Sequence, residues 1–167
     1  YDGSFKLYGS VLDNTGAIVS ADFEIPSTRA SARTHATLLN DGKVFLAWTT
    51  SSGNTNAFAT VLNPTGTVAE PIFPLDKYQD NYILSQILKI PSGEIVAFWR
   101  DKSTGKSKIV VNCYSFITNE VYDYEVVSTD HAFDNNSPKA ILMPSGDILV
   151  VWVKDTPTKD LWGRIIN

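Results

Sequence analysis

Three stretches of the chain share one pattern: a polar turn containing glycine, then an apolar run that ends in tryptophan. They read Leu39-Asn40-Asp41-Gly42-Lys43-Val44-Phe45-Leu46-Ala47-Trp48, Ile90-Pro91-Ser92-Gly93-Glu94-Ile95-Val96-Ala97-Phe98-Trp99 and Met143-Pro144-Ser145-Gly146-Asp147-Ile148-Leu149-Val150-Val151-Trp152. The tryptophans recur about every fifty residues, which marks a tandem repeat. Within these runs the apolar positions are nearly continuous rather than alternating. That pattern predicts strands covered on both faces.

A second pattern follows each tryptophan by about ten residues. Phe58 to Asn63 matches Tyr8 to Asp13 before it and Trp162 to Asn167 after it, and more loosely Val110 to Ser115. A turn comes next, Asn14-Thr15-Gly16 or Pro64-Thr65-Gly66, with Thr118-Asn119 standing in once. Further short strands are predicted over 18–25, 68–75 and 121–127, and another set over 36–39, 87–90 and 140–143 just before the glycine turns. No segment shows sustained helical spacing, and β-branched and aromatic residues crowd the apolar runs. Four strands per unit, joined largely by tight turns, predict an all-β, propeller-like array of four-stranded blades.

The units run over 1–50, 51–101 and 102–154, with 155–167 as the first strand of a fourth, all in one repeat domain. Three blades are fewer than the usual four to eight, so the expectation is an oligomeric ring or a longer protein. The last strand then either completes the blade begun near Tyr8 or belongs to a longer array. A start at Tyr1 without a signal peptide is what a processed or excised piece would show.

Composition narrows the partners. A net charge of −4, with basic residues scattered, argues against nucleic acid. No apolar stretch reaches the roughly 18–20 residues of a membrane span. The lone cysteine, Cys113, cannot form an internal disulfide and reads as a buried thiol.

Candidate chemistry is sparse. His35 and His131 fall at different places in their units, with no nucleophile motif beside either, so no catalytic residue is assigned. A sialidase-type site needs clustered arginines, whereas Arg29, Arg33, Arg100 and Arg164 are scattered along the chain. The acidic loops at Asp2, Asp13 and Asp101 carry the oxygen ligands calcium favours, but turns demand the same residues, so neither metal nor cofactor is predicted. Asn135-Asn136-Ser137 has the form of a glycosylation acceptor, with Pro138 after it. Variation and ligand chemistry belong in the long polar connections, 26–35, 76–85 and 128–138. The ligand-binding candidates are Tyr78 and Tyr82 in one of these, Arg100 and Asp101 after a tryptophan, and Trp162 leading the last strand.

The first unit resembles a repeat of large secreted bacterial surface proteins. The shared features are Asp2-Gly3-Ser4, Tyr8-Gly9-Ser10, Asn14-Thr15-Gly16, Phe23-Glu24-Ile25 and the run from Leu39 through Asp41-Gly42 to Trp48. The second unit keeps most of them, and the third departs at Cys113-Tyr114 and Thr118-Asn119. The resemblance implies a propeller-like fold and an extracellular or cell-surface setting, not an activity. The expected function is therefore a non-enzymatic repeat module for adhesion, assembly or scaffolding, partnered by another protein or a second copy of itself. A lectin-like propeller with a glycan ligand is the alternative, and a fragment of a propeller glycosidase stands third.

Overall fold

A computed structural model describes residues 6–26, 30–50, 56–75, 82–103, 105–122, 125–129 and 132–167, and among these it contains strands and no helix. The strands are β1 (Leu7–Leu12), β2 (Ile18–Ile25), β3 (Ala30–Leu38), β4 (Val44–Thr50), β5 (Ala57–Leu62), β6 (Val68–Pro74) and β7 (Tyr82–Lys89). They continue as β8 (Ile95–Asp101), β9 (Lys108–Ser115), β10 (Glu120–Val121), β11 (Glu125–Val126), β12 (Asn135–Leu142), β13 (Ile148–Lys154) and β14 (Asp160–Ile166).

Pairing is antiparallel throughout and groups the strands into four sheets. These are the hairpin β1-β2, the sheet β3-β4-β5-β6, the sheet β7-β8-β9 with β10 and β11 both on β9, and the sheet β12-β13-β14. The repeat period read from the sequence is kept, but each sheet is phased half a unit later than the sequence units. Its first two strands close one sequence unit and its outer strands open the next. Tight turns set this phase. At the first, Leu39 N–H donates to Lys43 O and Gly42 N–H to Leu39 O. Gly42, Gly93 and Gly146 all have φ between +81° and +95° there, a backbone that favours glycine. Asn119, in the loosest repeat, adopts φ +55°, which asparagine tolerates.

Two expectations change. The strands before the glycine turns are longer than predicted, because β3, β7 and β12 extend back through residues read as polar connections. Each carries a register irregularity and one edge without a backbone ladder. The strand predicted over 121–127 is broken into β10 and β11. Cys113 is half-buried rather than fully buried.

The sheets stack face to face, and three apolar clusters fill the seams. The first joins Ile25 to Leu46, Trp48 and Leu62. A second joins Phe45, Ala47, Ala59 and Val61 of one sheet to Ile95, Ala97, Trp99 and Tyr114 of the next. In the third, Val96, Phe98 and Val111 meet Ile148, Val150 and Trp152. Successive residues of the tryptophan strands thus feed opposite seams, which explains their unbroken apolar runs. The last segment, β14, pairs along its whole length with β13 rather than with β1, Trp162 lying opposite Trp152.

Candidate functional site: a cleft at the bulged inner strands

β3, β7 and β12 are the first strands of consecutive sheets, and all three are irregular at one level. The register shifts between Ala30 and Thr34, between Leu84 and Gln86, and between Asn136 and Lys139. Counted back from the glycine turns, Thr34, Ser85 and Pro138 are equivalent, and so are His35, Gln86 and Lys139. A bulge re-aims side chains and ends regular pairing. Ser137 sits at φ +52°, part of that local distortion. Together the bulges line a cavity of about 350 Å³ with Arg33, Thr34 and His35 from β3, Leu84 and Ser85 from β7, and Ser137, Pro138 and Lys139 from β12.

The second equivalent set ties neighbouring sheets together. Gln86 Nε2 donates to Ala140 O at 2.7 Å, and Ala140 N–H donates back to Gln86 Oε1 at 2.9 Å. One amide side chain thereby satisfies two backbone groups on the edge of β12 that faces away from β13. His35 occupies the same position one sheet earlier and makes a hydrogen bond to the backbone of Leu84. Burial holds the His35 imidazole below its ordinary pKa, with Lys139 adding to the effect, the Leu84 bond opposing it and Arg33 contributing least.

The residues singled out from sequence fall in several places. Tyr78 and His131 lie outside the described residues. Tyr82 opens β7 directly opposite Asp101. Asp101 is buried, and its carboxylate accepts from Ser103 N–H at 2.7 Å and Ser103 Oγ at 2.6 Å, so it caps a turn. Arg100 is half-buried with its Nε unpaired. Burial lowers its pKa, Asp134 and Asp155 oppose that, and Arg33 is close enough to reinforce it. Arg33 and Arg100, far apart in sequence, are therefore brought near each other.

Trp162 lies apart from the cleft on β14, 46% exposed, with Lys154 Nζ 4.4 Å from its ring centroid and 5.2 Å from that of Phe133. Asn135 of the acceptor triplet is buried and accepts from Trp152 Nε1 at 2.8 Å, which leaves its amide no room for a glycan. The Asp13 loop likewise uses its carboxylate internally, on Thr15 and Ala17, which lowers that pKa. Among the described residues no group of three His, Cys, Asp or Glu side chains is placed to hold a metal.

Arg33, His35, Gln86 and Lys139 were not among the binding candidates. The available signal was the register of the repeat: at one fixed distance before each glycine turn stands a polar residue, His35, Gln86 or Lys139.

No protein-family model matches the chain, and no curated protein does. Several solved structures are similar to it in fold. A protein of unknown function from Dyadobacter fermentans is 14% identical over 96% of this chain and 43% of that one, with a TM-score of 0.65. A mutant of the NanB sialidase from Streptococcus pneumoniae is 15% identical over 90% and 24%, with a TM-score of 0.62. The endo-arabinase from Bacteroides thetaiotaomicron is 11% identical over 100% and 72%, with a TM-score of 0.57. The chain spans less than half the length of the first two. At these identities the likeness establishes the fold alone: four-stranded, β-propeller-like blades.

Proposed function

We propose that the chain is a non-enzymatic repeat module of a secreted or cell-surface protein, serving adhesion by holding a glycan in the cleft of the bulged inner strands. One observation carries this reading. The described lining offers basic groups and the hydroxyls of Thr34, Ser85 and Ser137, but no carboxylate. Glycoside hydrolysis commonly needs two carboxyl groups about 5–9.5 Å apart around the bond. Asp134, which interacts with Arg100, accepts from Ser107 N–H at 2.8 Å and Ser107 Oγ at 2.9 Å, bonds that hold its pKa low. Such a group is a poor general acid.

A second reading, assembly, draws support from the outer face of the last sheet. Ile141, Leu161 and Ile165 are 60%, 75% and 58% exposed, while the positions equivalent to the last two, Ala57 and Val61, are buried under the next sheet. A glycan array followed by calorimetry tests the first reading: saturable binding to one sugar class without turnover is expected. Hydrolysis of a chromogenic glycoside, abolished in Asp134→Asn, would overturn it. Light scattering tests the second, which predicts a dimer or larger.

A further inference from the structure

We infer that this chain assembles head to tail with a second copy of itself, the outer face of β13–β14 packing on the exposed back of that copy's β1–β2 hairpin. The inference rests on the assembly reading and adds the surface that covers the last sheet.

Every seam inside the molecule has the same polarity. The front of a sheet, turned toward the sheet that follows, meets the back of that following sheet. In the tight seam Phe45, Ala47, Ala59 and Val61 form the front, and Ile95, Ala97, Trp99 and Tyr114 the back. The next seam repeats this with Val96, Phe98 and Val111 against Ile148, Val150 and Trp152. Among the described residues one front and one back are left uncovered, and they lie at opposite ends of the stack.

The uncovered front belongs to β13–β14. Leu161 and Ile165 are exposed, whereas Ala57 and Val61 at their positions are buried under the next sheet. Leu149 and Val151, on the same face of β13, are half-buried, while Phe45 and Ala47 at their positions are sealed. The uncovered back belongs to the β1–β2 hairpin. Tyr8 and Leu12 are 61% and 56% exposed there, whereas Val110 and Tyr114 at the equivalent positions of β9 are buried. Ile18, also exposed, stands directly opposite Leu12. Polar groups of the hairpin are already paired with one another, Ser10 with Asp22 and Lys6 with Glu24, so covering this back strands few of them. A repeat array that stands alone ends in polar outer faces. Both ends of this stack carry exposed apolar side chains instead, one a front and the other a back, the pairing that every internal seam already uses. Such a contact is heterologous, and it closes into a ring or continues as a filament.

Light scattering of the full chain over a dilution series tests the inference, with Leu161→Asp changing the front and Leu12→Asp the back. Both side chains are exposed, so the unfolding midpoints should match wild type. Ile165→Asp and Ile18→Asp repeat the test on each face if a first variant unfolds. Wild type should form a dimer or larger, and each variant alone should fall to the mass of one chain. A concentrated equimolar mixture of the two variants should recover complexes of two chains, because one retains an intact back and the other an intact front. A back variant that stays assembled, or a mixture that stays monomeric, overturns the head-to-tail contact and leaves the assembly reading standing on the wild-type mass. A monomeric wild type removes both.

Discussion

The seam between the sheets β3–β6 and β7–β11 and the seam between β7–β11 and β12–β14 are built from equivalent positions, yet they are filled differently. In the first, Phe45 meets Phe73, Tyr114 and Phe116, with ring centroids 5.8–6.1 Å apart, and Phe73 stacks on Tyr114 at 4.9 Å. In the second, Val96 stands at the position of Phe45, Cys113 at that of Val61 and Glu125 at that of Phe73. A cleft of about 280 Å³ remains beside Val96, Cys113, Glu125, Ile148 and Ile166. The bulk has moved rather than vanished: Phe98 takes the position of Ala47, one rung nearer the tryptophan end. The opening left in the first seam, about 240 Å³, lies at the rim between β6 and the turn after β9. One repeat can therefore keep its strand pairing while shifting where its seams are tight.

The sheet-to-sheet links differ in the same way. His35 makes the first and Gln86 the second. One titrates and the other does not.

The largest effect should come from emptying the tight seam. Phe45→Ala removes a fully buried ring and is expected to cost about 3–5 kcal/mol in urea unfolding. Val96→Ala, its counterpart beside an existing cleft, should cost only about 1.5 kcal/mol, the transfer term for two methyl-sized groups. Equal losses would mean that the two seams are packed alike.

Thiol chemistry measures the open seam directly. Burial, aided by Glu94, pushes the Cys113 thiol up to about 11. Alkylation by iodoacetamide at pH 8 should then run about a hundredfold slower than at an exposed thiol of ordinary pKa near 9. Fast modification would show that water reaches the cleft freely.

Filling the open seam should sharpen the contrast from the other side. Val96→Phe restores the aromatic of the first seam and is expected to add about 1 kcal/mol while slowing Cys113 further. A loss of stability would mean that Phe98 already occupies the space a second ring needs.

The smallest effect concerns the links. Because the folded state holds the His35 pKa below its unfolded value near 6.5, the unfolded chain binds more protons on acidification. The stability tied to His35 is complete above that unfolded value and declines as pH falls toward the lowered folded one. His35→Gln, which copies Gln86, should flatten this part of the pH–stability curve. An unchanged slope would assign it to other groups.

The strand order, the tight turns and the apolar runs were legible in the sequence, because glycine at positive φ and unbroken Val, Ile, Leu and Trp runs are local requirements. Trp48, Trp99 and Trp152 mark each unit wherever its neighbours lie. The cleft was not legible in this way. Arg33 and Ser85 sit in stretches that look like polar connections and Lys139 directly follows one, and only the stacking of three sheets turns those stretches into adjacent bulged strands. The sequence by itself determined the repeat, its period and its covered strands, since each depends on neighbours a few residues away. Tertiary structure alone decided that β14 joins β13 rather than β1, and the meeting of Arg33 and His35 with Lys139. The second of these brings together residues about a hundred positions apart, and no local preference encodes it.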